Sequence, residues 1–223
     1  QKNQSFYSLQ FLNVCPTLCS NHRYIRDVLG KSPSVRTVLD VGCGNGRYVD
    51  CCVREGFAYV GGDRCCELME TCAYKNVFTR FDATSLPFRE NSFDACLSIA
   101  CLHHLSTVSR RIRALMEIAR VVRTGGYIYL TVWRSTRGEN DDRKGEDRFV
   151  SWQLQSCYLS EDESRYSVHA QRMLSESSSR FESSESSRVL KRFCHLFGRC
   201  ELRMHVDKAS KLLMASKKRI KIV

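Results

Sequence analysis

The sequence predicts an α/β fold in which one mostly parallel sheet carries helices on both faces. Three observations lead there. Apolar runs alternate with helical patterns from Val35 to Trp133, as in chains built from βαβ units. The strand-like run Val38–Val41 enters a turn with glycines at alternate positions, Gly42, Gly44 and Gly46. The 223 residues suffice for one domain with a buried sheet and are too few for two of ordinary size.

Taken in chain order, strands are expected near residues 36–41, 58–62, 77–82, 93–100 and 126–133. Helices are expected near 45–54, 64–74 and 107–122. The third helix has the strongest pattern, because Ile112, Leu115, Met116, Ala119 and Val122 recur at helical spacing. Gly125-Gly126 is read as its terminator and as the turn into the strand that ends at Trp133. Right-handed crossovers then distribute the helices over both faces. Residues 1–223 are read as a single domain whose core is 36–134. A variable insertion, 135–190, follows, and the Ser-rich run Ser175–Ser187 within it is expected to be disordered. Order is expected to resume near Arg192–Leu196 in a basic C-terminal part, 191–223, with Ile220–Val223 as a truncated strand. The opening Gln1-Lys2-Asn3-Gln4 is neither a signal peptide nor a native start, so upstream residues are expected to be missing.

Composition narrows the class further. No apolar run is long enough to span a bilayer, so no membrane association is expected. The 13 cysteines are odd in number, scattered through apolar segments and without a Cys-x-x-Cys pair. They read as buried free thiols of the cytosol or nucleus rather than as disulfides or a metal site. The net charge is +11, and residues 191–223 hold ten basic and two acidic groups, ending in Lys217, Lys218, Arg219 and Lys221. Such a surface attracts polyanions by counterion release, although a solvated tail that binds nothing has the same composition.

The turn is the most informative segment. Asp40-Val41-Gly42-Cys43-Gly44-Asn45-Gly46 places an acid at the end of a strand and glycines where a ligand can approach the main chain. A following helix would offer free N–H groups to an anion. The spacing is Gly-x-Gly-x-Gly, not the Gly-x-Gly-x-x-Gly of a dinucleotide site, and fits a methyltransferase cofactor loop. Turns of this kind also occur without a ligand, so the neighbouring acids decide. Asp63, after the second strand, can accept from both hydroxyls of a ribose. Asp82, after the third, can accept from an adenine amino group while Ala83 offers its N–H. Ser98, on the fourth strand, completes the set. Acids at neighbouring strand ends converge on one crevice in open α/β sheets, and an acid-lined cleft suits a sulfonium. S-adenosylmethionine (SAM) is therefore the expected cofactor.

The substrate side lies beyond the fourth strand, where Cys101-Leu102-His103-His104 follows; His104 is the preferred active-site histidine. Arg110 and Arg111 open the next helix, where a basic residue opposes the helix dipole. They are candidate contacts to an anionic substrate.

These segments resemble a known family. Residues 40–48, Gly61-Gly62-Asp63-Arg64, Leu86-Pro87-Phe88-Arg89, Ser98 to His104, Ser109 to Ile112, Thr131-Val132-Trp133, Phe149 to Trp152 and Lys191 to Phe197 look like the tRNA methyltransferase 9-like enzymes. That group includes the methyltransferase domain of the AlkB homologue 8 protein, and the Ser-rich insertion looks most like its animal 9B-type branch. The resemblance implies a Rossmann-like class I SAM-dependent methyltransferase that esterifies 5-carboxymethyluridine at the tRNA wobble position. The substrate carboxylate is already ionised, so positioning should do most of the work. His104, Arg110, Arg111 and Trp133 are the candidates, with Trp133 equally suited to a core. The resemblance also implies a small zinc-bearing activator subunit on the sheet edge near Val77–Phe81, where an open edge needs cover. Alternative readings are a SAM methyltransferase acting on a protein or small molecule, and a SAM-binding regulatory protein with vestigial catalysis. The family's N-terminal arm has no clear counterpart in residues 1–35.

Overall fold

The computed structural model describes residues 5–11, 22–23, 25–70, 72, 74–135, 145–153, 189–213 and 218–222. Among the described residues nine strands run in chain order: β1 (Ser5–Phe11), β2 (Thr37–Val41), β3 (Ala58–Asp63), β4 (Phe78–Arg80), β5 (Phe93–Ile99), β6 (Val122–Thr131), β7 (Glu146–Gln153), β8 (Val189–Leu196) and β9 (Lys218–Ile222). The helices are α1 (Val49–Arg54), α2 (Cys66–Glu70), α3 (Val108–Val121) and α4 (Glu201–Leu213). Single tighter or wider turns occupy Ile25–Leu29, Lys75–Val77 and Leu102–His104.

Seven strands form one parallel sheet in the order β4-β3-β2-β5-β6-β1-β9, and β7 and β8 pair antiparallel beside it. After β1, which lies between β6 and β9, the chain enters the middle at β2, moves out to β4, then returns through β5 to β6. The order therefore reverses between β2 and β5, and a crevice opens at their C-terminal ends. Both sheet faces are covered, and the strands divide their residues between them with period two. Leu39, Val41, Cys96, Ile128 and Leu130 pack on one side with α3 and α4. Val38, Ala95, Leu97 and Tyr129 pack on the other with Ile25, Leu29 and Val49.

The structure moves several expected boundaries. The first helix starts at Val49, because Gly42, Gly44 and Gly46 all take positive φ and hold the chain in turns until then. The second covers only Cys66–Glu70. Helix α3 is capped by Thr107, whose side chain accepts from the Arg110 N–H at 3.2 Å. It ends at Val121 rather than at the glycines, and β6 begins at once. Gly125, at φ 77°, instead sits in that strand where the β5 register shifts.

Three elements were not anticipated: β1, β7 and α4. Helix α4 carries only a narrow apolar stripe of Val206, Ala209 and Leu213. Its other buried positions, Glu201, His205 and Ser210, are polar, which hides the helical period. The Ser-rich run 175–187 and Lys217 lie outside the described residues. No described helix is long and apolar enough to cross a membrane. The ten cysteines among the described residues are free, and five of them are buried.

Candidate active site at the strand ends

The glycine turn is held mainly by its own strand neighbours. Gly42 and Cys43 donate their N–H groups to the Gly62 carbonyl at 2.8 and 3.1 Å, and Gly46 donates to Cys43. Gly44 donates to Asp63 Oδ2 at 3.0 Å, while Asp63 Oδ1 accepts from Cys65 N at 2.9 Å. Asp63 is thus the clamp that ties the turn after β2 to the end of β3. These N–H groups of the turn do not stand free for an anion, because a chain turning this tightly satisfies them internally. What the turn offers a ligand is room. A Cβ on Gly44 would meet nothing within 4 Å, whereas one on Gly46 would strike the Phe78 ring at 2.5 Å.

Asp40 lies beneath this floor, 1% exposed, and accepts from the Tyr59 hydroxyl at 2.8 Å. Burial pushes its carboxyl up to about 7, against the pull of the Tyr59 bond. Ser98 is fully buried. Both side chains lie in the floor beneath the turn.

Asp82 caps its own turn, accepting from Thr84 N at 2.8 Å and Thr84 Oγ1 at 2.7 Å. Its second oxygen accepts from Arg110 Nη2 at 3.2 Å. Burial opposes ionisation of Asp82, but the Thr84 bonds and Arg110 outweigh it and lower the pKa. Ala83, half-buried, packs against the core. The structure therefore joins Asp82 and Arg110, which the sequence had placed in separate cofactor and substrate roles.

Arg111 is a correction of larger consequence. Only 3% exposed, it donates to the Leu105 carbonyl at 2.9 Å, lies 3.8 Å from Glu201 and covers the Phe197 ring at 5.6 Å. It joins α3 to α4 and does not present itself to a substrate. The reason is the α4 helix, which sequence patterns did not disclose. Glu201 also accepts from or pairs with His195 Nε2 at 2.8 Å, and His195 Nδ1 lies 2.7 Å from Asp147.

On the far side, His103 is fully buried and stacks on Trp133 with ring centroids 4.7 Å apart. Arg192, missed in the sequence, sits over the Trp133 ring at 5.2 Å. His104 Nδ1 is 3.0 Å from the Phe193 carbonyl. A carbonyl only accepts, so that nitrogen carries the hydrogen and Nε2 is left as an acceptor. Burial, the dominant effect, lowers the His104 pKa and keeps the ring neutral. A neutral ring with its one N–H engaged does not hold a carboxylate by donation. Arg110 and Arg192 are the nearby cations suited to that task. Arg192 lay beyond the variable insertion, and only the pairing of the end of β8 with the segment after β6 brings it back.

The chain is similar to known proteins in sequence and in fold. Residues 39–130 match the family described as "Methyltransferase domain". A tRNA (carboxymethyluridine(34)-5-O)-methyltransferase of Schizosaccharomyces pombe is 34% identical over 162 residues, 68% of this chain and 70% of that protein. The protein of that name called alkbh8 in Xenopus tropicalis is 40% identical over 128 residues, 56% of this chain. The chain covers only 19% of the frog protein's length. Among solved structures, SAM-bound CalS10, an amino pentose methyltransferase of Micromonospora echinaspora, superposes with a TM-score of 0.52. That match covers 86% of this chain and 80% of the other at 15% identity, so it speaks for the fold alone. The fold is the Rossmann-like class I methyltransferase fold.

Proposed function

The chain belongs to the family of tRNA (carboxymethyluridine(34)-5-O)-methyltransferases, and from that premise we propose that it methylates the carboxylate of a modified wobble uridine in tRNA. The observation that carries this reading is the clamp of Gly44 by Asp63 beneath open space at the strand ends.

The residues present fit SAM. Gly44 leaves room above the turn, Asp63 is only part-buried at the crevice, and the acidic floor suits a cation. When bound, SAM supplies an electrophilic methyl group on a sulfonium. Asp63 and the turn orient the donor, and each Asp63 oxygen keeps a lone pair beyond its backbone bond. Trp133, with Arg192 over its ring, offers a flat cationic platform for an anionic base. A substrate carboxylate is already ionised near neutral pH, so these residues would need to position it beside the donor and would need no general base. Neutral His103 and His104 are in keeping with that economy. Burial pushes His103 down to about 2.

Two partner readings extend the proposal. Strand β4 is the sheet edge, next only to β3, with Phe78 and Thr79 half-covered. It would accept an added strand from an activator subunit. The basic C-terminal segment would bind the tRNA backbone. Cytosol or nucleus is the location we propose for such a reaction.

The test is nucleoside mass spectrometry of tRNA incubated with the protein, SAM and the activator subunit. A gain of the carboxymethyl ester at the wobble uridine is expected. SAM bound but no tRNA product would leave a regulatory or alternative-substrate protein, and no SAM binding would end the proposal.

A further inference from the structure

A composite cluster joins two parts of the chain far apart in sequence. His103 and His104 come from the turn after β5, and Cys194 comes from β8. One nitrogen of each histidine and the Cys194 sulfur all lie within 4.8 Å of one another. Cys194 and His103 are fully buried, and His104 is half-buried.

We propose that His103, His104 and Cys194 form a binding site for one zinc-class metal ion that staples the β7–β8 hairpin to the substrate side of the sheet. The ligand set is the first argument. Two imidazoles and one thiolate suit borderline or soft ions such as zinc and do not suit magnesium or calcium, which take oxygen. Three protein ligands leave a fourth position for water or a substrate oxygen.

The surroundings are the second argument. A ligating histidine nearly always donates its other N–H to a carbonyl or carboxylate. His104 Nδ1 faces both the Phe193 carbonyl at 3.0 Å and the Cys194 sulfur at 3.6 Å, so coordination through Nε2, which keeps a lone pair, requires the ring to rotate toward the sulfur. His103 Nε2 is buried without a hydrogen-bond partner among the described residues. The Trp133 backbone N–H points at His103 Nδ1 at 3.4 Å, so Nε2 carries the ring hydrogen as an unsatisfied donor, which costs about 1–3 kcal/mol; coordination replaces that arrangement with a metal bond.

The geometry needs only a small closure. Zinc bonds of about 2.0–2.1 Å to nitrogen and about 2.3 Å to sulfur set ligand atoms roughly 3.4–3.6 Å apart in a tetrahedron. Contraction from 4.8 Å is within reach of side-chain rotation. The sequence offered no hint of this site, because its ligands combine a His-His pair with one thiol 90 residues later.

The experiment is titration of the purified full chain with cobalt(II), followed by zinc competition. One equivalent is expected to give the near-ultraviolet charge-transfer band of a cobalt–thiolate. Cys194→Ser should abolish that band and weaken cobalt binding more than about 100-fold, since loss of outer-shell partners alone costs about 10–100-fold. Cys200→Ser, which alters an exposed thiol, should leave both unchanged. Persistence of the band in Cys194→Ser, or no binding at stoichiometric metal, overturns the site. Should Cys194→Ser fail to fold, X-ray absorption of the wild-type zinc form decides. One sulfur and two imidazoles support the site, and any other ligand count overturns it. SAM binding, measured in parallel, stays intact if only this inference fails.

Discussion

Gly44 and Gly56 make a matched pair that separates backbone strain from ligand contact. Both have positive φ, 55° and 79°, and a Cβ on either would meet nothing within 4 Å. An L side chain in this region costs about 1–2 kcal/mol, and the stiffer unfolded chain of the alanine variant offsets part of it, about 0.4–1 kcal/mol. A net loss of about 1 kcal/mol lowers Tm by roughly 2–4 °C in a chain of this size. Gly44→Ala and Gly56→Ala should therefore melt alike by scanning calorimetry. They should differ in isothermal titration with SAM. Gly56 follows α1 away from the crevice, so its variant should bind as the wild type does. A methyl at Gly44 enters the space above the turn, where overpacking of about 1–3 kcal/mol corresponds to roughly a five- to 150-fold loss of affinity. Equal SAM affinity in the two variants, with equal loss of Tm, would refute the placement of the cofactor over Gly44.

Four further outcomes are expected. Asp63→Asn should lose about 10–100-fold in SAM affinity, because charge-assisted bonds contribute about 1.5–3 kcal/mol; unchanged titration would argue against Asp63 as a ligand group. Asp40 has its pKa raised, so its contribution to stability is present at low pH and lost as pH rises through about 7. Asp40→Asn should accordingly flatten the fall of Tm across neutral pH, and a profile parallel to the wild type would count against this. His195 and Glu201 set a second window. Burial pulls the His195 pKa down, but its bonds to Glu201 and Asp147 outweigh burial and raise it. Burial pushes Glu201 up, but His195 and the Gly198 N–H outweigh burial and lower it. Their mutual stabilisation should be full between about pH 4.5 and about pH 6.5, fading below as Glu201 protonates and above as His195 deprotonates. His195→Gln should remove that profile in thermal melts. Reversing Lys217, Lys218 and Arg219 to Glu should weaken tRNA binding and flatten its salt dependence, and filter binding with unchanged slope would make the tail an inert appendage.

The positions of Asp40, Gly42, Gly44, Gly46 and Asp63 were legible in the sequence because local rules bind them. An apolar run of period two, a positive-φ turn and an acid after the next strand all act over a few residues, whatever the rest of the chain does. The five central strands followed for the same reason. The roles of the side chains were not legible. Arg111 reads as a surface cation on a helix start, and only its contact with Glu201 on α4 makes it a buried tie. His104 reads as an active-site group that could hold the substrate, and only the Phe193 carbonyl fixes its tautomer and occupies its one N–H. Arg192 and Cys194 sit beyond a polar insertion, and they meet Trp133 and His103 only through the return of β8 to the sheet. Local chemistry, written in sequence, determined the sheet and the cofactor turn. Which charges face the crevice and which are buried against one another depends on long-range packing and desolvation, and those exist only once the chain has folded.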